Sequence, residues 1–228
     1  MKHQGRASKA AVTILAKTVV PLILLSGIAW FAIPAAPWLA PIGLAVAVIV
    51  TGFVLWFFRD PNPTVPTDPD IVVSPAHGLV DVVDQTDWPN RPGQRCQRLS
   101  IFLSVFDIHV QQAPVAGVVD SVQHTPGLFL NALRTESAAK NENFLVYFTA
   151  NDAAKTPVAV RLIAGLIARR ILPWVNAGER VERGERISLI QFGSRVDLYL
   201  PLNAELQVKV GHRVIGGESI VARFPSVR

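Results

Sequence analysis

Hydrophobic and polar positions divide the chain into two parts. Val12 to Ile33 and Ile42 to Phe58 are nearly continuous apolar stretches, and each approaches the roughly 20 residues with which a helix crosses a bilayer. Pro34 to Pro37 separates them with residues that favour a turn. The pattern predicts two helices joined as a hairpin, although Lys17 and Pro21 shorten the uninterrupted apolar part of the first helix.

After the hairpin, the pattern is typical of β-strands. Asp60 to Pro69 is a proline-rich connector in which a helix cannot persist. Val158 to Leu172 predicts a strand that continues into a short helix, and Phe129 to Lys140 predicts a loop or a helix. Short β-branched or aromatic runs bounded by turn residues predict strands at residues 71–73, 78–83, 99–105, 116–122 and 144–148. We therefore expect a hairpin domain in residues 1–60 and a β-rich domain in residues 61–228.

An internal repeat makes the fold class more specific. Gly178 to Ile187 and Gly211 to Ile220 share the pattern Gly-x-Arg-Val-x-x-Gly-Glu-x-Ile. Each copy predicts a tight turn followed by a strand, and two copies predict a pseudo-symmetric β-sandwich. Lipoyl- and biotinyl-type domains carry similar turns. We expect a mainly β protein: a β-sandwich with a lipoyl/biotinyl-like pseudo-repeat, preceded by an N-terminal membrane helical hairpin.

Gly193 and Ser194 stand between the two copies of the repeat. Ser188 to Ile190 predicts a strand before them, and the alternation from Val196 to Leu200 predicts a strand with one buried face after them. A tight turn is the ordinary interpretation of Gly-Ser at such a place. The alternative is a strained backbone, permitted by glycine, in which the serine hydroxyl reaches the preceding carbonyl as an N-to-O acyl shift requires.

Basic residues flank the hairpin and predict its orientation. Lys2, Arg6, Lys9 and Lys17 come before Thr18, Arg59 follows Phe58, and no basic residue lies between. Under the positive-inside rule, both ends of the hairpin and the rest of the chain are cytoplasmic. A cleaved signal peptide and a shallow interfacial hairpin are the alternatives, and the second apolar stretch argues against secretion.

Composition narrows the function classes. Hydrophobic residues make up 50% of the chain and charged residues 17%, a balance unusual for a purely soluble protein. The net charge is +5, but residues 1–60 carry five Lys or Arg against Asp60, which leaves +1 for the remainder. So neutral a domain gives little support for nucleic-acid binding. One cysteine, Cys96, cannot form an intrachain disulfide, and nothing resembles a metal-binding or phosphate-cradling signature.

One segment resembles a known family. Phe192 to Asp197, followed by Tyr199 to Pro201, is similar to the cleavage segment of the short bacterial phosphatidylserine decarboxylases. The resemblance implies a proenzyme that cuts itself between Gly193 and Ser194, so that Ser194 becomes a covalent pyruvoyl group and no external cofactor is needed. The products would be a large chain, residues 1–193, paired with a small chain, residues 194–228.

A histidine segment matches the same family. His109 lies in Phe102 to Pro114, and a histidine suits acid or base work near the carbon that loses CO₂, because its pKa lies near neutral pH. Without the resemblance, His109 is as well explained as a strand cap. Asp107 shares the predicted strand face of His109 and either orients its ring or belongs to a turn. Gln112 stands where longer family members carry a second histidine.

Ser74 to Gly78 resembles the family's Ser-Pro-Ala-Asp-Gly segment, with His77 in place of an aspartate implicated in self-cleavage. Our hypothesis is that His77 deprotonates Ser194, since an imidazole can accept that proton. The alternative is that His77 only fills a turn and that processing is slow or absent.

Two further segments match the family. Arg169 and Arg170 lie in the second half of one of them, and arginine suits bidentate contact with a substrate phosphate. Pairing of these arginines with nearby glutamates is the alternative: Glu179, Glu182 or Glu185. Asn141 to Asn143 predicts either a loop that contacts the lipid headgroup or a solvated loop.

The resemblance implies decarboxylation of phosphatidylserine to phosphatidylethanolamine in phospholipid biosynthesis. The pyruvoyl carbonyl would form a Schiff base with the substrate amine and accept the electrons left by CO₂. We expect the inner membrane as the location, with the catalytic domain on the cytoplasmic side. The alternatives are a membrane-tethered, non-catalytic lipoyl-like binding module and a membrane-anchored zinc peptidase, which would need an HxH ligand pair that the chain lacks. The oligomeric state stays open, with a homodimer as one alternative.

Overall fold

A computed structural model describes residues 2–130, 140–165, 170–191 and 194–225. Contacts divide these residues into two compact units: residues 4–61, and residues 62–225 together with Lys2 and His3. Strands hold 40% of the residues and helices 22%, which confirms the mainly β prediction.

The first unit consists of two antiparallel helices, α1 (Arg6–Ala32) and α2 (Leu39–Phe57). They are about 40 Å and 28 Å long at the rise of an α-helix, and both are long and apolar enough to cross a membrane. Only 11% and 17% of their most apolar windows are buried, whereas a core helix of a soluble protein is mostly buried. A Cβ added at Gly43 would overlap the Ser26 hydroxyl, so small residues let the helices approach closely, as in membrane helix pairs.

Within the described residues, the second unit forms fourteen strands in three antiparallel sheets. The strands are β1 (Ile71–Val73), β2 (Gly78–Trp88), β3 (Arg91–Leu103), β4 (Val110–Gln112), β5 (Gly117–Thr125), β6 (Asn143–Ala150), β7 (Pro157–Ala164), β8 (Arg170–Pro173), β9 (Arg180–Val181), β10 (Arg186–Gln191), β11 (Ser194–Leu200), β12 (Glu205–Leu206), β13 (Arg213–Val214) and β14 (Ile220–Arg223). The order of the large sheet is β13-β2-β3-β11-β7-β6-β5-β9, and those of the small sheets are β1-β14-β12 and β4-β10-β8.

One hydrophobic core joins the three sheets. Leu99, Val160 and Leu198 of the large sheet belong to the same buried cluster as Ile190 and Val221 of the small sheets. The apolar face of each strand is therefore buried against another β-layer, as the alternating sequence pattern predicts.

Two local predictions are corrected. Residues 170–173 form strand β8 and not the expected short helix, because they pair antiparallel with β10, Arg170 opposite Gln191. Residues 166–169 and most of the predicted loop or helix at residues 129–140 lie outside the described residues.

The two copies of the repeat make equivalent hydrogen bonds. The amide of Gly178 donates to the carbonyl of Val119 at 2.7 Å, and the amide of Gly211 donates to the carbonyl of Val80 at 2.9 Å. Each repeat turn therefore docks in the same way on a different strand of the large sheet. The lipoyl-like character of this arrangement stays a prediction.

A second repeat becomes visible in the structure. Residues 75–81 and 114–120 share the pattern Pro-x-x-Gly-x-Val-Asp, which the sequence analysis missed. A Cβ at either glycine, Gly78 or Gly117, would overlap a backbone carbonyl of the adjacent strand, so both positions require glycine. In this alignment His77 corresponds to Ala116, which means that the turn itself does not need a histidine.

The proline-rich connector is fixed along the two repeat turns. Arg186 donates to the Asn62 side chain at 3.0 Å, and the amide of Thr64 donates to Glu218 at 2.9 Å. Arg183 donates to carbonyls of the connector. The chain between the helices and the sheets is thus held by side chains of both repeats.

Candidate active site

Ser194 is the first residue of β11 and the centre of the candidate site. It pairs with Leu103 of β3 on one side and with Ala164 of β7 on the other, and it is fully buried. Among the described residues, no group forms a hydrogen bond with its hydroxyl. Burying such a group unpaired costs about 1–3 kcal/mol, and costs of this kind are concentrated at functional sites. Gly193 lies outside the described residues.

The end of β3 brings a turn to Ser194. β3 ends at Leu103, opposite the serine. Residues 104–109 therefore follow at the end of the sheet where β11 begins. The Asp107 carboxylate accepts hydrogen bonds from the Ser104 amide at 2.8 Å and the Ser104 hydroxyl at 2.7 Å. Its other oxygen lies 2.5 Å from the guanidinium of Arg213.

The ring of His109 is oriented by a backbone carbonyl. The side chain is 1% exposed, and Nδ1 lies 2.9 Å from the carbonyl oxygen of Asp107. Since a carbonyl can only accept, Nδ1 carries the hydrogen and Nε2 is the proton-accepting nitrogen of the neutral ring. Asp107 and His109 lie in a turn, so the expectation that they share a strand face is wrong. Asp107 both belongs to a turn and holds the ring, the latter through its main chain.

Buried polar groups fix the main chain of His109. Its carbonyl accepts from the Gln111 side chain at 2.6 Å and from the Ile190 amide at 3.1 Å. The Gln111 side chain in turn accepts from the Ser188 hydroxyl at 2.7 Å. Strand β10, which leads into the cleavage segment, therefore also positions the histidine.

His77 lies at the start of β2, at the same end of the large sheet. It is partly buried, and the next residues of β2 pair with β3, Leu79 opposite Phe102. Strands β2, β3 and β11 are consecutive neighbours, which places the starts of β2 and β11 about 10 Å apart at the usual strand spacing. His77, His109 and Ser194 are thus brought to one edge by three adjacent strands and one turn.

Arg170 is near the cleavage segment, and Arg169 lies outside the described residues. Arg170 is exposed at the start of β8, opposite Gln191, the last described residue before Ser194. Two of the glutamates offered as its alternative partners contact another cation: Glu179 and Glu185 each lie 3.7 Å from the Lys2 ammonium.

The Asn141 to Asn143 segment borders the site from the opposite side. Asn141 is 1% exposed and donates to the carbonyl of Ala164 at 2.7 Å, and Ala164 is the β7 partner of Ser194. Asn143 is also buried and donates to the Asn141 carbonyl. The expectation of a solvated loop is therefore wrong for both asparagines.

The outer face of β11 is buried as well, so the prediction of one buried face is wrong. All seven residues of β11 are buried, because Tyr199 packs in a second cluster that includes Trp88 and Tyr147. Asp197 accepts from the Ser100 hydroxyl at 2.6 Å and from the Tyr199 hydroxyl at 3.2 Å, and burial raises the pKa of its carboxyl.

Arg195, the residue after the serine, forms a bidentate pair with Asp81 of β2. The two N···O distances are 3.0 Å and 2.5 Å, and 3% of the arginine side chain is exposed. Alternation in the sequence gives no sign of this pair, because its partners are 114 residues apart.

The described residues contain no group of three or more His, Cys, Asp or Glu side chains that could hold a metal ion. The site instead combines a buried hydroxyl with imidazoles and one exposed arginine. Such a set can perform acyl transfer and proton transfer.

Comparison with known proteins decides the family. Residues 50–222 match the family model described as phosphatidylserine decarboxylase. The chain belongs to the phosphatidylserine decarboxylase family. It is therefore an enzyme of the carboxy-lyase class, and the matched range includes every described strand except the last residue of β14.

Three relatives are named phosphatidylserine decarboxylase proenzyme. The protein of Desulfotalea psychrophila is 42% identical over 78% of this chain and 83% of the relative. That of Symbiobacterium thermophilum is 40% identical over 79% and 85%, and that of Burkholderia ambifaria is 44% identical over 75% and 79%. The word proenzyme in these names agrees with the resemblance on which Gly193 and Ser194 were singled out.

Proposed function

We propose that the chain is a membrane-anchored, self-processing enzyme that decarboxylates phosphatidylserine to phosphatidylethanolamine in bacterial phospholipid biosynthesis. The observation that carries the proposal is the buried hydroxyl of Ser194, which has no hydrogen-bond partner among the described residues. A serine that served only as a turn residue would be expected to satisfy its hydroxyl with water or backbone. The family and the names of the relatives support the same substrate.

Self-cleavage is the reaction that we assign to that hydroxyl. Its oxygen attacks the carbonyl carbon of Gly193, the hydroxyl proton passes to a base, and the peptide nitrogen leaves as an amine, which gives an ester. Loss of the Ser194 α-proton then expels the Gly193 carboxylate and leaves a dehydroalanine. Addition of water with release of ammonia converts it to the pyruvoyl group.

His77 is the proposed base for the first step. It stands at the same sheet edge as Ser194, and its counterpart in the repeat is Ala116. Because the same backbone turn forms with an alanine, the turn alone does not account for the histidine. Proton acceptance from Ser194 is the chemistry that imidazole offers there.

Decarboxylation uses the other histidine. A pyruvoyl group at residue 194 would supply a carbonyl for the substrate amine and a sink for the electrons left by CO₂. In the neutral ring of His109, Nε2 is the proton-accepting nitrogen, because Nδ1 donates to the Asp107 carbonyl. We assign to His109 the proton transfer at the carbon that loses CO₂.

Arg170 is the proposed contact for the substrate phosphate, together with Arg169. Arg170 is exposed beside the cleavage segment, and a guanidinium binds phosphate oxygens with two parallel hydrogen bonds. A phosphate held there leaves the serine headgroup directed towards residue 194.

The small chain stays in the fold after cleavage. Strand β11 lies between β3 and β7 in the large sheet, and β13 and β14 pair with β2 and β1. All these partners belong to the proposed large chain, residues 1–193, so residues 194–228 are retained by four separate ladders. A homodimer of two such pairs is one further expectation.

The hairpin is the proposed anchor. Residues 1–60 would hold the enzyme in the inner membrane and leave residues 61–228 in the cytoplasm, as the flanking basic residues predict. Anchoring raises the local concentration of a substrate that is too apolar to leave the bilayer.

The test is conversion of phosphatidylserine vesicles by the purified full-length protein, with released CO₂ and phosphatidylethanolamine both quantified. We expect equal amounts of the two products from wild type and none from Ser194→Ala. A protein that binds the vesicles and releases no CO₂ would instead support the non-catalytic binding module.

A further inference from the structure

Exposed apolar side chains of the second unit are concentrated near the candidate site. Within its described residues, five large hydrophobic side chains are exposed. Leu202 follows β11 at the end remote from Ser194, and Leu128 is bridged to Asn141 on the other side of the site. The remaining three lie close in sequence to the two partners of one ion pair. These three are Phe106 (68% exposed), Val210 (58%) and Ile215 (48%).

The ion pair between Asp107 and Arg213 connects the three side chains. Phe106 precedes Asp107 in the turn that ends at His109. Arg213 is exposed, Val214 is buried, and Ile215, which directly follows β13, is exposed again. Val210 is at the exposed turn that leads into this strand.

Cations accompany the apolar side chains. Lys209 and Arg213 are exposed. Arg213 pairs with Asp107, which is 9% exposed, so the net positive charge of this cluster comes from Lys209. Glu218, on the far side of Ile215, accepts from the Thr64 amide. We call Phe106, Lys209, Val210, Arg213 and Ile215 the rim.

We propose that the rim docks on the surface of an anionic bilayer, with Phe106, Val210 and Ile215 in the interfacial region and Lys209 and Arg213 at the headgroups. Amphipathic surfaces bind such interfaces through buried apolar area and through attraction of cations to anionic lipid. A basic residue contributes roughly 1 kcal/mol near a charged leaflet.

Docking at the rim has a consequence for the site. The turn that carries Phe106 also carries Asp107 and His109, and it stands next to Ser194 in the sheet. Lipid contact at Phe106 would therefore bring the mouth of the site to the headgroup layer. The inference goes beyond the proposed function, because lipid contact does not depend on processing or on release of CO₂.

The chain offers a suitable background for a probe. Cys96 is fully buried and its burial raises the pKa of the thiol to about 11, so the native cysteine does not compete for a thiol label at neutral pH. Single cysteines are introduced as Phe106→Cys, Ile215→Cys and Leu202→Cys and labelled with an environment-sensitive fluorophore. Leu202 is exposed to the same 48% as Ile215. It lies beyond the far end of β11, about 20 Å from Ser194 at the rise of a strand.

The experiment uses the full chain in vesicles of phosphatidylcholine with phosphatidylglycerol, with and without a nitroxide-labelled lipid. We expect the nitroxide to quench the probes at positions 106 and 215 at least twofold and to leave the probe at position 202 unchanged. Quenching equal to that at position 202 at either rim position would overturn the proposal. A blue-shifted emission without nitroxide quenching would mean that protein covers the rim and would also overturn it.

Charge reversal tests the electrostatic part. Lys209→Glu should weaken quenching at position 106 in anionic vesicles and have little effect in pure phosphatidylcholine. Lys155→Glu is the matched control, because Lys155 is exposed in the β6–β7 turn at the opposite end of the sheet. Equal effects of the two charge reversals would contradict a specific role for the rim.

Discussion

His109 is held through the main chain of Asp107, with 2.9 Å between Nδ1 and the carbonyl oxygen. The Asp107 carboxylate accepts instead from Ser104 and Arg213 and shapes the turn. The hydrogen bond to the Asp107 carbonyl fixes the tautomer of the ring. Nε2 is thereby left as the proton-accepting nitrogen of the neutral ring.

Replacing His109 should separate the two reactions. His109→Gln should release CO₂ about 100-fold or more slowly, the usual contribution of a general acid or base, while cleavage between residues 193 and 194 continues. CO₂ release and a denaturing gel on the same preparation measure both. His124→Gln, at a histidine with a 45% exposed side chain, should match wild type. If His109→Gln lost cleavage, while any cleaved enzyme that formed were fully active, the result would contradict the assignment. His109 would then act in processing and not in decarboxylation.

Replacing His77 should affect processing. In His77→Ala the hydroxyl of Ser194 loses its proposed proton acceptor, and we expect the full-length chain to accumulate during expression. The structural cost should be small, since the corresponding position in the repeat is Ala116. A time course on a denaturing gel measures the cleaved fraction; equal cleavage in the variant and wild type would remove His77 from the mechanism.

The pair between Arg195 and Asp81 should stabilise the strand that begins at Ser194. Asp81→Ala leaves a guanidinium that is 3% exposed without its carboxylate, and we expect a loss of about 2–3 kcal/mol, between the values for exposed and buried pairs. Asp84→Ala removes a more exposed pair with Arg98 and should cost about 1 kcal/mol or less. Denaturant titration of both variants measures the difference. Equal losses would show that the Arg195 pair has no special weight.

The buried carboxyl of Asp197 should make stability depend on pH. Burial raises its pKa, so the folded state keeps this proton at pH values where the unfolded chain has lost it. The contribution of Asp197 to the free energy of unfolding is therefore greatest at low pH. It falls as the pH rises from about 4, the ordinary pKa of aspartate, through the raised pKa of the folded state. Asp197→Asn cannot ionise and should lose this slope.

Thermal unfolding of the full-length protein between pH 4 and 8 measures that slope. We expect wild type to lose stability relative to Asp197→Asn as the pH rises, until the folded pKa is passed. The control Asp120→Asn changes an exposed carboxylate that accepts from Thr149, and its curve should run parallel to wild type. A parallel curve for Asp197→Asn as well would contradict the shift.

Much of the fold could be predicted from local pattern. Two apolar stretches with a proline-containing break predict the helices, and alternation predicts most strands. The Gly-Ser pair was singled out because the segments before and after it each predict a strand, and resemblance to the family supplied its chemistry. These signals depend only on residues close together in the chain, so a single sequence is enough to recognise them.

The rest of the site depends on pairings distant in sequence. Arg213 is 106 residues from Asp107, and Ser100 is 97 residues from Asp197. Alternation suggested an exposed outer face for β11 because a buried aspartate cannot be recognised until its partners are known. Residues 170–173 likewise became a strand through pairing with β10, which outweighed their local preference.

The central claim is self-cleavage between residues 193 and 194. Its most direct test is a comparison of the intact masses of purified wild type and Ser194→Ala. The account predicts two chains for wild type, the smaller one comprising residues 194–228 with a keto group in place of an amino terminus, and one uncut, inactive chain for the variant. An uncut wild-type chain that still converts phosphatidylserine, or an active Ser194→Ala variant, would contradict it.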